Sequence, residues 1–91
     1  MITAIVAIQA DVTKINEAAE AISAIEGVSE VYSVTGDIDL LAMVRVREHD
    51  DVATVVTQQI NKVPGVLSTQ TQIAFRTFSK HDLEEAFNIG F

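Results

Sequence analysis

Cysteine is absent from the chain, which excludes a disulfide framework and any thiolate metal site and leaves no sign of an oxidising compartment. Basic residues are few: six Lys and Arg stand against thirteen Asp and Glu, a formal net charge of −7. Such a surface repels phosphate, and nucleic-acid binding draws most of its affinity from neutralising phosphates, so direct contact with DNA or RNA is disfavoured. Tryptophan is missing, and neither IVAIQ (5–9) nor LLAMVRV (40–46) holds an aromatic residue, so a sheet that stacks RNA bases is excluded as well. The opening MITAIVAIQAD has no basic n-region and is too short for a signal peptide or a membrane span. A cytoplasmic protein with no membrane partner is expected. His49 and His81 lie in unrelated segments without a second ligand at metal-binding spacing, so they read as surface residues, and no metal or cofactor is expected.

What is present suits a single small domain. A chain of 91 residues with 48% hydrophobic and 21% charged side chains is globular in composition, yet its core is small enough that self-association would relieve a marginal monomer. Ile2 to Gln9 is a short apolar run rich in β-branched residues, the mark of a buried strand. Asp11 is positioned to cap a following helix in which Val12, Ile15, Ala18 or Ala19, Ile22 and Ile25 recur every three or four residues, with Gly27 as its stop. Val28 to Thr35 reads as a second strand, Gly36-Asp37 as a turn, and Leu40 to Arg47 as a third strand. Asp50 or Asp51 starts a second helix with Val52, Val55, Val56, Ile60 and Val63 on one stripe, ended by Pro64-Gly65. Val66 to Phe75 alternates as a fourth strand, with Leu67, Thr69, Thr71, Ile73 and Phe75 on one face.

The order is β-α-β-β-α-β, a ferredoxin-like α+β sandwich with a four-stranded antiparallel sheet. Residues 1–75 form this domain. Residues 76–91 form a tail, in which Ser79-Lys80-His81-Asp82 before LEEAF matches a capping box and predicts a short C-terminal helix. All four Phe residues lie in the last seventeen positions, which suits a tail built to dock in an oligomer.

Both central strands are apolar on both sides: Ile5 and Ala7 back the buried positions of the first, Leu41 and Met43 those of the third. Two helices cover one face only, so the other predicts a sheet-to-sheet dimer, a dimeric α/β sandwich. The alternative is that the tail helix folds back over its own sheet.

The hairpin TGDIDLLAMVRV, residues 35 to 46, resembles the TGDYDLLL-type signature of Lrp/AsnC regulators. GVSEVYSVTG before it, NKVPGVLSTQT after the second helix, and the element order around them extend the likeness over about residues 1 to 75, the effector-binding (RAM-type) domain of that family. The Phe-rich tail is similar to that of stand-alone members. The resemblance implies a non-catalytic sensing and oligomerisation domain without a helix-turn-helix module, one that binds an amino acid or related metabolite. It further implies a homodimer or higher homo-oligomer that modulates transcription through full-length Lrp/AsnC regulators rather than by touching DNA.

Gly36 permits a positive-φ turn whose amides can face an α-carboxylate, and Asp37 or Asp39 can receive the α-ammonium group. Ordinary hairpin chemistry explains the same residues. Ile38 departs from the aromatic residue frequent in the pattern and belongs to the same candidate set. Thr69, Gln70 and Thr71 offer hydroxyl and amide groups near where the resemblance puts the effector pocket; a polar edge strand would look the same. Arg45 shares a face with Leu41 and Met43 and reads as a rim charge. The rival function is a small ferredoxin-like dimeric enzyme of monooxygenase or isomerase type. No nucleophile–base pair supports it, because the strands around the cleft are lined by Ala, Val, Ile, Leu, Met, Thr and Gln.

Overall fold

The computed structural model describes residues 1–78 and residue 80. The elements run β1 (Ile2–Ala10), α1 (Ile15–Ser23), β2 (Val28–Ser33), β3 (Leu40–Val46), α2 (His49–Ala53) and β4 (Val66–Ile73). The strands form one sheet in the order β2-β3-β1-β4, each neighbouring pair antiparallel. This is the β-α-β-β-α-β plan expected from the periodicities, with the two most apolar strands at the centre. The expected C-terminal helix lies outside the described residues except for Lys80.

Alternation builds the core. Ala4, Val6, Ile8 and Ala10 of β1 and Leu40, Ala42 and Val44 of β3 are buried on one side, against Ala18 and Ile22 of α1 and Val52, Val55, Val56 and Ile60 of the second helical segment. Burying an aliphatic side chain of this size stabilises by roughly 1.5–3 kcal/mol, so this layer supplies most of the driving force. On the other side of the sheet Ile5, Ala7, Leu41 and Met43 stay partly exposed, since both helices take the core side.

Local details depart from the sequence expectations at four places. Asp11 does not cap α1: its carboxylate accepts the Thr13 amide at 2.9 Å and the Thr13 hydroxyl at 2.8 Å, closing a turn before the helix begins at Ile15. Val12 consequently leaves the apolar stripe and is 79% exposed. The second helix starts at His49, because Glu48 and Asp51 form a capping box in which the Glu48 amide donates to the Asp51 carboxylate at 3.2 Å. It then widens into a π-helical stretch, Thr54–Gln59, and tightens into a 3-10 turn, Ile60–Lys62. Val52, Val55, Val56 and Ile60 are nonetheless all buried, as their stripe requires. In β4, Thr69, Thr71 and Ile73 pair with Ile8, Val6 and Ala4, while a bulge opposite Gln9/Ala10 displaces Leu67, which is 70% exposed. None of the described helices is long and apolar enough to cross a membrane.

Candidate functional site

At one end of the sheet three connections meet: the turn from β2 to β3, the link from β1 to α1, and the approach to β4. The turn is closed by the Val34 amide donating to the Asp39 carbonyl at 3.1 Å, and it is tied to β1 by the Asp39 amide donating to the Ile8 carbonyl at 2.9 Å. Gly36 has φ +113°, a backbone angle that only glycine adopts without strain, and open space surrounds it. The Asp39 carboxylate accepts the Ala10 amide at 2.8 Å, just past Ile8 and Leu40, where the β1–β3 pairing ends. Asp39 thus fixes the hairpin against β1.

Between this turn and β4 lies a cleft of about 480 Å³ on the face away from the helices, lined by Ala7, Gln9, Asp37, Ile38, Ser68 and Gln70, with Thr69 at its edge. A volume of this order suits a small metabolite. Gln9 crosses the floor: its side-chain amide donates to the Asp37 carbonyl at 3.2 Å, and its carbonyl oxygen accepts the Ser68 hydroxyl at 2.9 Å. Asp37 supplies a carboxylate, Gln70 an amide, and Ala7 with Ile38 an apolar wall. Chemically the cleft can receive an ammonium group at Asp37 and orient neutral polar atoms at Gln70. Among the described residues that line it, no nucleophile stands beside a general base.

Of the residues singled out from sequence, Asp37, Ile38, Thr69 and Gln70 are brought together here. The Thr69 hydroxyl donates to the Asn61 side chain at 2.7 Å, which ties the edge of the cleft to the second helical segment. Thr71 points to the other face, beside Val52, Val56 and Ile73. Gly36 shapes the turn without lining the cleft. Sequence reasoning misses Gln9, Ser68 and Ala7 as lining residues. Gln9 is the one polar side chain closing the apolar run of β1, and Ser68 is its partner once register is known.

Two ionisable groups nearby are shifted. The Asp11 carboxyl is held below its ordinary value by the Thr13 amide and hydroxyl, with Lys14 adding to the effect. On the outer face the Tyr32 phenol is raised, chiefly by a hydrogen bond to Glu30 and also by desolvation and the Glu30 charge, while Arg45 pulls it back.

Comparison with known proteins agrees with this architecture. The family described as Lrp/AsnC ligand binding domain matches residues 3–83. An uncharacterized HTH-type transcriptional regulator of Pyrococcus furiosus is 36% identical over 64 residues, covering 70% of this chain and 43% of that protein. The chain spans less than half the length of the curated relatives it matches. A crystal structure of a protein from Thermus thermophilus superposes with a TM-score of 0.83 at 42% identity, covering 88% of this chain and all of that one. A feast or famine regulatory protein of Mycobacterium tuberculosis, solved in complex with L-methionine, gives a TM-score of 0.74 at 27% identity over 88% of this chain and 54% of that one.

Proposed function

The chain belongs to the Lrp/AsnC ligand binding domain family, and on that premise we propose that it senses a free amino acid, without catalysis, and passes the signal to transcription through assembly with itself and with regulator partners. The observation that carries this reading is the cleft itself, with the Asp37 carboxylate, the neutral donors and acceptors of Gln9, Ser68 and Gln70, and the apolar wall of Ala7 and Ile38. An α-ammonium group fits Asp37, and an uncharged side chain fits the wall. The L-methionine complex of the mycobacterial relative supports an effector of that kind.

The outer sheet face supports assembly. Ile5, Ala7, Leu41 and Met43 make an apolar centre, bordered by Tyr32, Glu30 and Arg45 on one side and Gln70 and Gln72 on the other, which is the arrangement of an interface core and rim. A dimer through this face would bury on the order of 800 Å² per partner. Because the cleft opens on the same face, the partner would help to close it.

A thermal-shift screen against the proteinogenic amino acids, followed by calorimetry, tests the proposal, since a ligand that binds only the native state raises its apparent Tm. At least one amino acid with an uncharged side chain is expected to raise it. Replacing Asp37 by Asn should weaken that ligand by about tenfold or more, the worth of a charge-assisted hydrogen bond, while leaving the ligand-free Tm unchanged. No response to any amino acid at millimolar concentration would overturn the reading.

A further inference from the structure

We propose that the free edge of β4 pairs antiparallel with the β4 edge of a second copy of this chain, about a two-fold axis at Thr71. The sheet order leaves β2 and β4 as its two edges. An edge strand presents unpaired backbone amides and carbonyls, which folded proteins guard with charged side chains, proline, bulges or short length. β2 is guarded: it is six residues long, carries Glu30, and its register with β3 shifts between Val28 and Glu30. β4 runs for eight residues, and from Val63 to Phe75 the sequence has no charged side chain, in a chain that is 21% charged. Its bulge lies at its start, opposite Gln9 and Ala10, and no proline follows Pro64. Ser68 to Ile73 is therefore an open template for another strand.

The ladder shows which backbone groups face out. The Ala74 amide donates to the Thr3 carbonyl at 2.9 Å, so Ala74 turns its groups towards β1. Neighbours along an antiparallel strand turn theirs to opposite sides, which sends those of Thr69, Thr71 and Ile73 outward. Ile8, opposite Thr69, agrees: its carbonyl accepts the Asp39 amide on the β3 side, away from β4. Among the described residues no turn or loop backbone group bonds to the three outward residues, and Thr69 reaches Asn61 through its hydroxyl alone. Nor does the helical layer cover this edge, since Thr71 is exposed on that side of the sheet and Ile73 is 43% exposed.

The spacing selects a second copy as the partner. Thr69 and Ile73 lie two residues either side of Thr71, so a two-fold axis there sets Thr71 opposite Thr71 and Thr69 opposite Ile73, and each outward amide meets a carbonyl. On the outer face Gln70 then stands opposite Gln72 of the second copy, and beyond them the exposed Leu67 and Phe75 fall at opposing positions. Two chains of net charge −7 thus meet along a strip that carries no charge. The contact continues the sheet sideways and leaves Ile5, Ala7, Leu41 and Met43 of both copies on one side, so it is independent of the face-to-face contact.

Because the chain has no cysteine, Thr71→Cys places a lone thiol on the proposed axis. Opposed Cα atoms of a hydrogen-bonded antiparallel pair lie about 5.5 Å apart, within disulfide range. Under mild oxidation of the full chain Thr71→Cys is expected to form a covalent dimer, whereas Ser33→Cys on the β2 edge is expected to stay single. Thr71→Lys sets like charges opposite each other and should halve the mass seen by light scattering, with an unchanged circular dichroism spectrum. No cross-link at position 71, or equal cross-linking at 33 and 71, overturns the proposal, as does an unchanged mass in Thr71→Lys. If the chain's own residues after Lys80 fill the edge, the cross-link forms only once they are removed, which also overturns it. Failure of the outer-face contact is separately visible, because Met43→Asp then leaves the mass unaltered.

Discussion

Asp39 and Asp37 are two residues apart and do different work. Asp39 reaches across to the part-buried Ala10 amide past the end of the β1–β3 pairing, whereas Asp37 lines the cleft. Replacing Asp39 by Ala leaves that amide without its partner and is expected to cost about 1–3 kcal/mol in urea unfolding, with Asp39→Asn, which keeps an acceptor oxygen, costing less. Equal losses in both variants would show that charge, not the hydrogen bond, holds the hairpin. The TGDID segment is legible in sequence as a turn bearing functional groups, because glycine followed by alternating carboxylates is a local signal. The division of labour between its two carboxylates is not, since it depends on which β1 amide lies past the end of the β1–β3 pairing. Gln9 and Ser68 stay hidden for the same reason: they are 59 residues apart and meet only through strand register.

Periodicity makes the elements readable. Ala4, Val6, Ile8 and Ala10 of β1 and, on the helical stripes, Ala18, Ile22, Val52, Val55, Val56 and Ile60 point inward as their spacing requires, and the structure buries them. Ile22 is fully buried on α1, so Ile22→Ala is expected to destabilise by about 2–5 kcal/mol. Val12, 79% exposed, provides the contrast: Val12→Ala should stay within about 0.5 kcal/mol. Differential scanning calorimetry on the two variants checks both, and a large loss at Val12 would mean that it is covered in solution. Helix boundaries and winding are less legible. Asp11 and Asp51 are both plausible caps by residue type, but Thr13 takes the first carboxylate into a turn and Glu48 takes the second into a capping box. The π-helical winding leaves no local signature, because Val52, Val55, Val56 and Ile60 satisfy an α-helical stripe equally well.

At the scale of the molecule, the described residues leave Ile5, Ala7, Leu41 and Met43 of the outer sheet face half-buried, and at the chain's approach to its tail Phe75 is 100% and Phe78 80% exposed. Leu83, Phe87, Ile89 and Phe91 follow in sequence. Deleting the residues after Lys80 is expected to lower the oligomeric state seen by light scattering, and an unchanged mass and Tm would sink the idea that the tail docks. The sheet order also has a consequence for how the protein is made. β1 leaves the ribosome first yet sits between β3 and β4, so once β3 has paired, one side of β1 waits for the stretch from Val46 to Ile73 to be translated. At about 5–20 residues per second that wait is roughly one to five seconds, long compared with the about 1–10 μs in which a hairpin forms. During it the nascent chain carries an unpaired, largely apolar strand edge, and crowded polysomes would put many such edges side by side before β4 arrives to seal them.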